Sequence, residues 1–138
     1  DLVINASDLE LSKMNAYVTD MHTKSGLIGE VKESSLTIRE AEIETLEFID
    51  KHIKSTNKPP VCGNSIGTDR RFLDAQMNDL ENRFHYRVVD VSSIKELANR
   101  WYPDVDRNVP SKTANHRALE DIIESMEELK YYRKQLFI

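Results

Sequence analysis

Three short apolar runs, LVI at 2–4, PPVCG at 59–63 and HYRVVDV at 85–91, are all that this chain offers as β-strands. They stand among five stretches with helical periodicity, and this imbalance constrains the fold more than any other feature. Strands alternating with helices point to an α/β class. A sheet of three strands gives five amphipathic helices little surface to pack on, so the reading expects sheet to be missing from the N-terminal side. A length of 138 residues with 39% hydrophobic content suits a single domain spanning 1–138, which would bury about two-thirds of its unfolded surface.

The helix starts are written in capping signals. Ser7 and Glu10 have capping-box spacing, ahead of a stripe of Leu11, Met14, Val18 and Met21 that breaks near Gly26. Thr37 and Glu40 repeat it ahead of Ala41, Ile43, Leu46, Ile49 and Ile53, and that helix ends before Pro59. After PPVCG, "GTDRRFLDAQMNDL" predicts a helix with Phe72, Leu73, Met77 and Leu80 inward. "SSIKELANRW" predicts another, capped by Ser93 with Glu96, and a polar loop with Pro103 and Pro110 follows. The last helix is expected from about Asn115 to Leu136, burying Leu119, Ile122, Ile123, Met126 and Leu129, with Tyr132 further on.

Charged residues make up 31% of the chain and the net charge is −5, with both signs interleaved. That argues against broad binding to long duplex nucleic acid. No apolar run approaches the roughly 20 residues of a membrane span, and no signal peptide is visible, so the chain reads as soluble with no membrane partner. The one cysteine, Cys62, cannot form an intrachain disulfide. Its apolar setting predicts a buried thiol in a reducing compartment, cytoplasmic by this reading, with the mitochondrion as the other home.

Two stretches carry candidate chemistry. In "TANHRALEDI", His116 and Asp121 are five residues apart, about 140° around a helix, so they converge only if His116 lies on the loop or first turn. An imidazole beside a metal-binding carboxylate suits deprotonation of water. The plainer alternative pairs Asp121 with Arg117 at i,i+4. In "GNSIGTDRRFL", small residues between a strand and a helix could meet a phosphate, and Asp69 sits in the first helical turn. The plainer alternative is a carboxylate favoured there by the helix dipole. The glycines match neither a Walker loop nor a dinucleotide-binding fingerprint.

Together, "GNSIGTDRRFL", "FHYRVVDVSSIKELANRWYP" and "NHRALEDIIESMEELKYYR" resemble the oligoribonuclease family, DEDD exonucleases with a histidine in the third motif. The resemblance continues through "HTKSGL" and "VKESSLTIREAEIETLEFI", and "RWYP" and "HRALEDI" look more like eukaryotic members. It implies a ribonuclease H-like exonuclease fold, a mixed sheet flanked by helices, acting 3′-to-5′ on dinucleotides and other short RNA to release mononucleotides. It implies two Mg²⁺ or Mn²⁺ ions per site, with Asp69 and Asp121 as ligands and His116 as general base. Ser65, Arg87, Ser92 and Lys95 resemble positions that hold phosphate or backbone. Tyr86 resembles a tyrosine reaching into the other subunit's site, which implies a homodimer. Tyr17 and His22 stand where the family has an aromatic, often tryptophan, and a histidine near the bases. Tyr17 can stack on a base, or pack in the core beside the Met14–Met21 stripe.

The family's first motif is Asp-x-Glu on an N-terminal strand. The one Asp-x-Glu here, Asp8 to Glu10, follows "NAS", leads into "LSKMNAY", and already fits a helix cap. It is therefore not read as that motif. The chain also begins with Asp1 instead of methionine, and the expectation is an N-terminally incomplete domain, a poor nuclease on its own. The rival readings are a short form that dimerises or binds short RNA without turnover, and an inert α/β domain.

Overall fold

The computed structural model describes residues 1–110 and 117–137. In chain order the elements are α1 (Asp8–Leu11), α2 (Ala16–Lys24), α3 (Leu27–Glu33), α4 (Ile38–His52), β1 (Val61–Gly63), α5 (Gly67–Gln76), α6 (Asn78–Arg83), β2 (Val88–Asp90), α7 (Val91–Trp101), α8 (Pro103–Arg107) and α9 (Ala118–Leu136). β1 and β2 pair in parallel, with Val61 opposite Val88, Cys62 opposite Val89 and Gly63 opposite Asp90. Parallel neighbours need a crossover, and α5 with α6 supplies it.

The class is α/β, but the sheet is smaller than expected. Among the described residues it has two strands, both parallel, and the run LVI is not a third. Its backbone is satisfied elsewhere: the Ser34 hydroxyl donates to the Val3 carbonyl at 2.5 Å, and the Asn5 N–H donates to the Leu36 carbonyl at 2.8 Å. So short a sheet also leaves Cys62 exposed instead of buried.

Both N-terminal capping boxes form. Ser7 and Glu10 close one on α1, and Thr37 and Glu40 the other on α4. The stripe from Leu11 to Met21 is nevertheless split between two helices, because the Asn15 side chain accepts from the Val18 N–H at 2.9 Å and starts α2 afresh. Gly26, at φ 76°, makes the left-handed turn where the first stripe was expected to break, and α3, which the sequence reading did not give, follows it. The expected helix over 67–80 is likewise two, parted at Met77. There Glu42 of α4, itself 2% exposed, accepts the Leu80 N–H at 3.0 Å and so caps α6 from a neighbouring element. Pro103, placed in a loop by the sequence reading, starts α8, where its missing N–H matters least.

The main core lies between α7, α8 and α9. Val91, Ala98 and Tyr132 are buried, with Ile94, Val105, Val109, Leu129, Tyr131 and Leu136 packed against them. The Tyr132 hydroxyl donates to Asp106 at 3.1 Å; burial first, then that carboxylate, pushes its pKa up. Five expected inward positions are corrected. Phe72 is 62% exposed, and Leu119, Ile122, Ile123 and Met126 of α9 are all exposed, because no described element covers that face.

Candidate active site

A parallel pair ends its strands on the same side, and the turns leaving those ends meet there. The turn after β1 carries Asn64 and Ser65, and the turn after β2 leads from Asp90 into Ser92. Asp90 ties them together. Its carboxylate accepts the backbone N–H of Ser65 at 3.0 Å, of Ile66 at 3.2 Å and of Ser92 at 2.9 Å. It is also the N-cap of α7, where the sequence reading had placed Ser93. Aspartate directly before a helix was signal enough to find it.

Ser65 lies at φ 56°, in the left-handed region that non-glycine residues seldom adopt. The two N–H groups held by Asp90 fix it there. In that geometry the Ser65 and Ser92 hydroxyls come within 3.1 Å of each other. One turn along α7 from Ser92, Lys95 adds an ammonium. Three of the four expected phosphate-holding residues thus share one corner.

The second and third motif segments also meet here. Asn64 donates to the Ser125 hydroxyl at 2.8 Å and to Glu128 at 3.2 Å, both on α9. Ser125 in turn donates to the Asp121 carbonyl at 2.7 Å. The bonds from Asn64 seat α9 at Ser125 and Glu128 against the turn after β1. Asp69 and Asp121 are both exposed. Arg70, next to Asp69, reaches Glu81 and the His85 carbonyl and so fixes the roll of α5. The i,i+4 alternative for Asp121 is not what forms, since the Arg117 guanidinium pairs with Glu30 of α3 at 2.6 Å, which raises its pKa. Asp90, Ser125 and Glu128 were not singled out from sequence, and Asn64 only with Ser65 as a small side chain that could meet a phosphate. Ser125 and Glu128, which serve Asn64, carry no periodicity or motif of their own.

The other expected site residues stand apart from this corner. Tyr86 and Arg87 precede β2, at the opposite end of that strand from Ser92. The Arg87 Nε donates to the Tyr86 hydroxyl at 3.1 Å, and Tyr86 is 76% exposed. Tyr17 is 73% exposed on α2, which rules out the core-packing alternative. His22 is half-buried and lines an N-terminal cleft of about 390 Å³ with Ile4, Leu11, Met14 and Gln76. His116 lies outside the described residues.

Asp8 and Glu10 have other work. Lys32 pairs with Asp8 at 2.8 Å and lowers its pKa, and the Ser7 side chain and backbone do the same to Glu10. Among the described residues no three His, Cys, Asp or Glu side chains group as a metal site needs. A hard divalent cation takes about six oxygen ligands. Asp69 and Asp121 are carboxylates of the kind such a cation takes, two where a full ligand set needs more.

No described helix is long and apolar enough to cross a membrane. The RNase_T family, described as "Exonuclease", matches residues 2–129. Its members generally depend on divalent metal and share a ribonuclease H-like exonuclease domain. The whole chain is 50% identical to oligoribonuclease of Corynebacterium glutamicum and covers 63% of that protein. It is 50% identical to that of Streptomyces avermitilis and 48% identical to that of Mycobacterium avium, covering 68% and 64% of them. The chain therefore spans a little under two-thirds of the length of some of these relatives. All three are bacterial, and they lend no support to the eukaryotic leaning of "RWYP" and "HRALEDI". The match of the exonuclease family to nearly every residue, with half the positions identical to named oligoribonucleases, places this chain in the oligoribonuclease family of exonucleases.

Proposed function

We propose that this protein is a 3′-to-5′ exoribonuclease that hydrolyses dinucleotides and other short oligoribonucleotides to mononucleotides. The observation that carries the reading is the corner where Ser65 and Ser92 meet, with Lys95 one turn along α7 and α9 tied to it through Asn64. The Lys95 ammonium donates to phosphate oxygens, and the Ser65 and Ser92 hydroxyls exchange their bonds to each other and to Asn64 for bonds to phosphate. Arg87 adds a guanidinium further along the strand. Tyr17 stacks on a base and His22 lies near one. His116 accepts the proton of the attacking water.

A pair of divalent cations, Mg²⁺ or Mn²⁺, supplies a metal-activated water and charge stabilisation in chemistry of this kind. Asp69 and Asp121 are the carboxylates here that would hold them, and the Asp-x-Glu pair that completes the ligand set comes from outside these 138 residues. Tyr86, exposed beside Arg87, reaches into the site of a second copy, which makes the active form a homodimer. The working compartment is the cytosol or the mitochondrion.

The test is the product ladder from a 5′-labelled pentaribonucleotide, with Mn²⁺ and an Asp-x-Glu strand of the family joined ahead of Asp1. Stepwise shortening from the 3′ end supports the reading. Internal cuts, or release of the labelled nucleotide first, sink it. The other reading is a short form that binds short RNA or dimerises without turnover. That form would bind a dinucleotide and give no product even with the strand restored.

A further inference from the structure

Glu128 stands two turns along α9 from Asp121 and is 2% exposed. Burying a carboxylate is an expensive way to gain stability, and a well-packed apolar residue serves a core as well or better. Among the groups Glu128 holds are two on neighbouring elements. It accepts from the Asn64 Nδ2 at 3.2 Å, and its other oxygen is 3.7 Å from the Lys95 Nζ. Asn64 passes the constraint on, since its Oδ1 accepts the Ser92 hydroxyl at 3.1 Å. Ser92 in turn contacts Ser65.

We propose that Glu128 is a positioning residue, which aims Lys95 directly and Ser92 through Asn64 so that the corner is set for one phosphate before substrate arrives. This rests on the reading of Ser65, Ser92 and Lys95 as the phosphate-holding group. The Lys95 side chain is 51% exposed on a flexible stem, and an untethered ammonium would lose more rotamer freedom on binding. At 3.7 Å the pair is loose, so Lys95 can lean onto a phosphate oxygen without leaving the carboxylate.

The experiment is a double-mutant cycle on the full chain. The dissociation constant of the 5′-phosphorylated diribonucleotide pApA is measured in EDTA, so that neither metal nor turnover enters. Lys95→Met is expected to weaken binding about tenfold and Glu128→Gln about fivefold. The double variant should be no more than about twofold weaker than Lys95→Met. Equal loss from Glu128→Gln in both backgrounds, or none in either, overturns the proposal and leaves the phosphate reading intact. No effect of Lys95→Met, or no binding by the unaltered chain, overturns both. Should Glu128→Gln melt without cooperativity, Glu128→Asp replaces it, with a loss of about twofold expected only where Lys95 is present.

Discussion

Asp90 shows how much one side chain settles at this site. It accepts three backbone N–H groups from two different turns, and those bonds hold Ser65 in its left-handed conformation. Asp90→Ala removes a helix cap and two further acceptor contacts, so urea denaturation should show a loss of about 2 kcal/mol. Glu42 gives the pH dependence its sign. The Leu80 backbone N–H, and then Arg39, hold its carboxyl below the usual glutamate value of 4.5. Its stabilising contribution is complete above that value and is lost as the pH falls below it through the folded-state pKa. The urea midpoint should therefore hold from neutral pH down to about 5 and then fall, and Glu42→Gln should make that fall shallower. At this scale the sequence was partly legible. Both capping boxes could be read because their partners are three residues apart. Glu42 was missed because what it holds is 38 residues away, and Asp90, though legible as a cap, holds two further N–H groups 25 and 24 residues back that the sequence does not show.

Among the elements, periodicity told which residues share a face but not what covers it. In α9, Tyr132 and Leu129 pack against α7 and α8, whereas Leu119, Ile122, Ile123 and Met126 lie 51–57% exposed on the earlier turns of the same helix. Ile122→Ser should then change stability by less than about 0.5 kcal/mol. Ala98→Leu, at a position 0% exposed, should destabilise by about 1–3 kcal/mol through overpacking. Chemical denaturation of the two variants side by side checks the contrast. Thr37→Ala at the head of the 15-residue α4 should lose about 1 kcal/mol. Breaks within the expected helices at Asn15 and Met77 went unread because apolar spacing runs straight through both.

For the molecule as a whole, the class could be read from the alternation of strands and helices, and the thin sheet from the scarcity of strand runs. The position of the site followed once β1 and β2 paired in parallel, since their ends bring together turns that lie 25 residues apart in sequence. The central claim is that this chain carries the phosphate corner and two of the carboxylates of a nuclease site. It is tested most directly by hydrolysis of a 5′-labelled diribonucleotide with Mn²⁺ by three proteins. These are the chain alone, the chain with the family's Asp-x-Glu strand joined ahead of Asp1, and the joined protein carrying Asp121→Asn. The account predicts little or no product from the first, turnover by the second, and a loss of more than about a hundredfold in the third. Turnover by the joined protein that survives Asp121→Asn would contradict it.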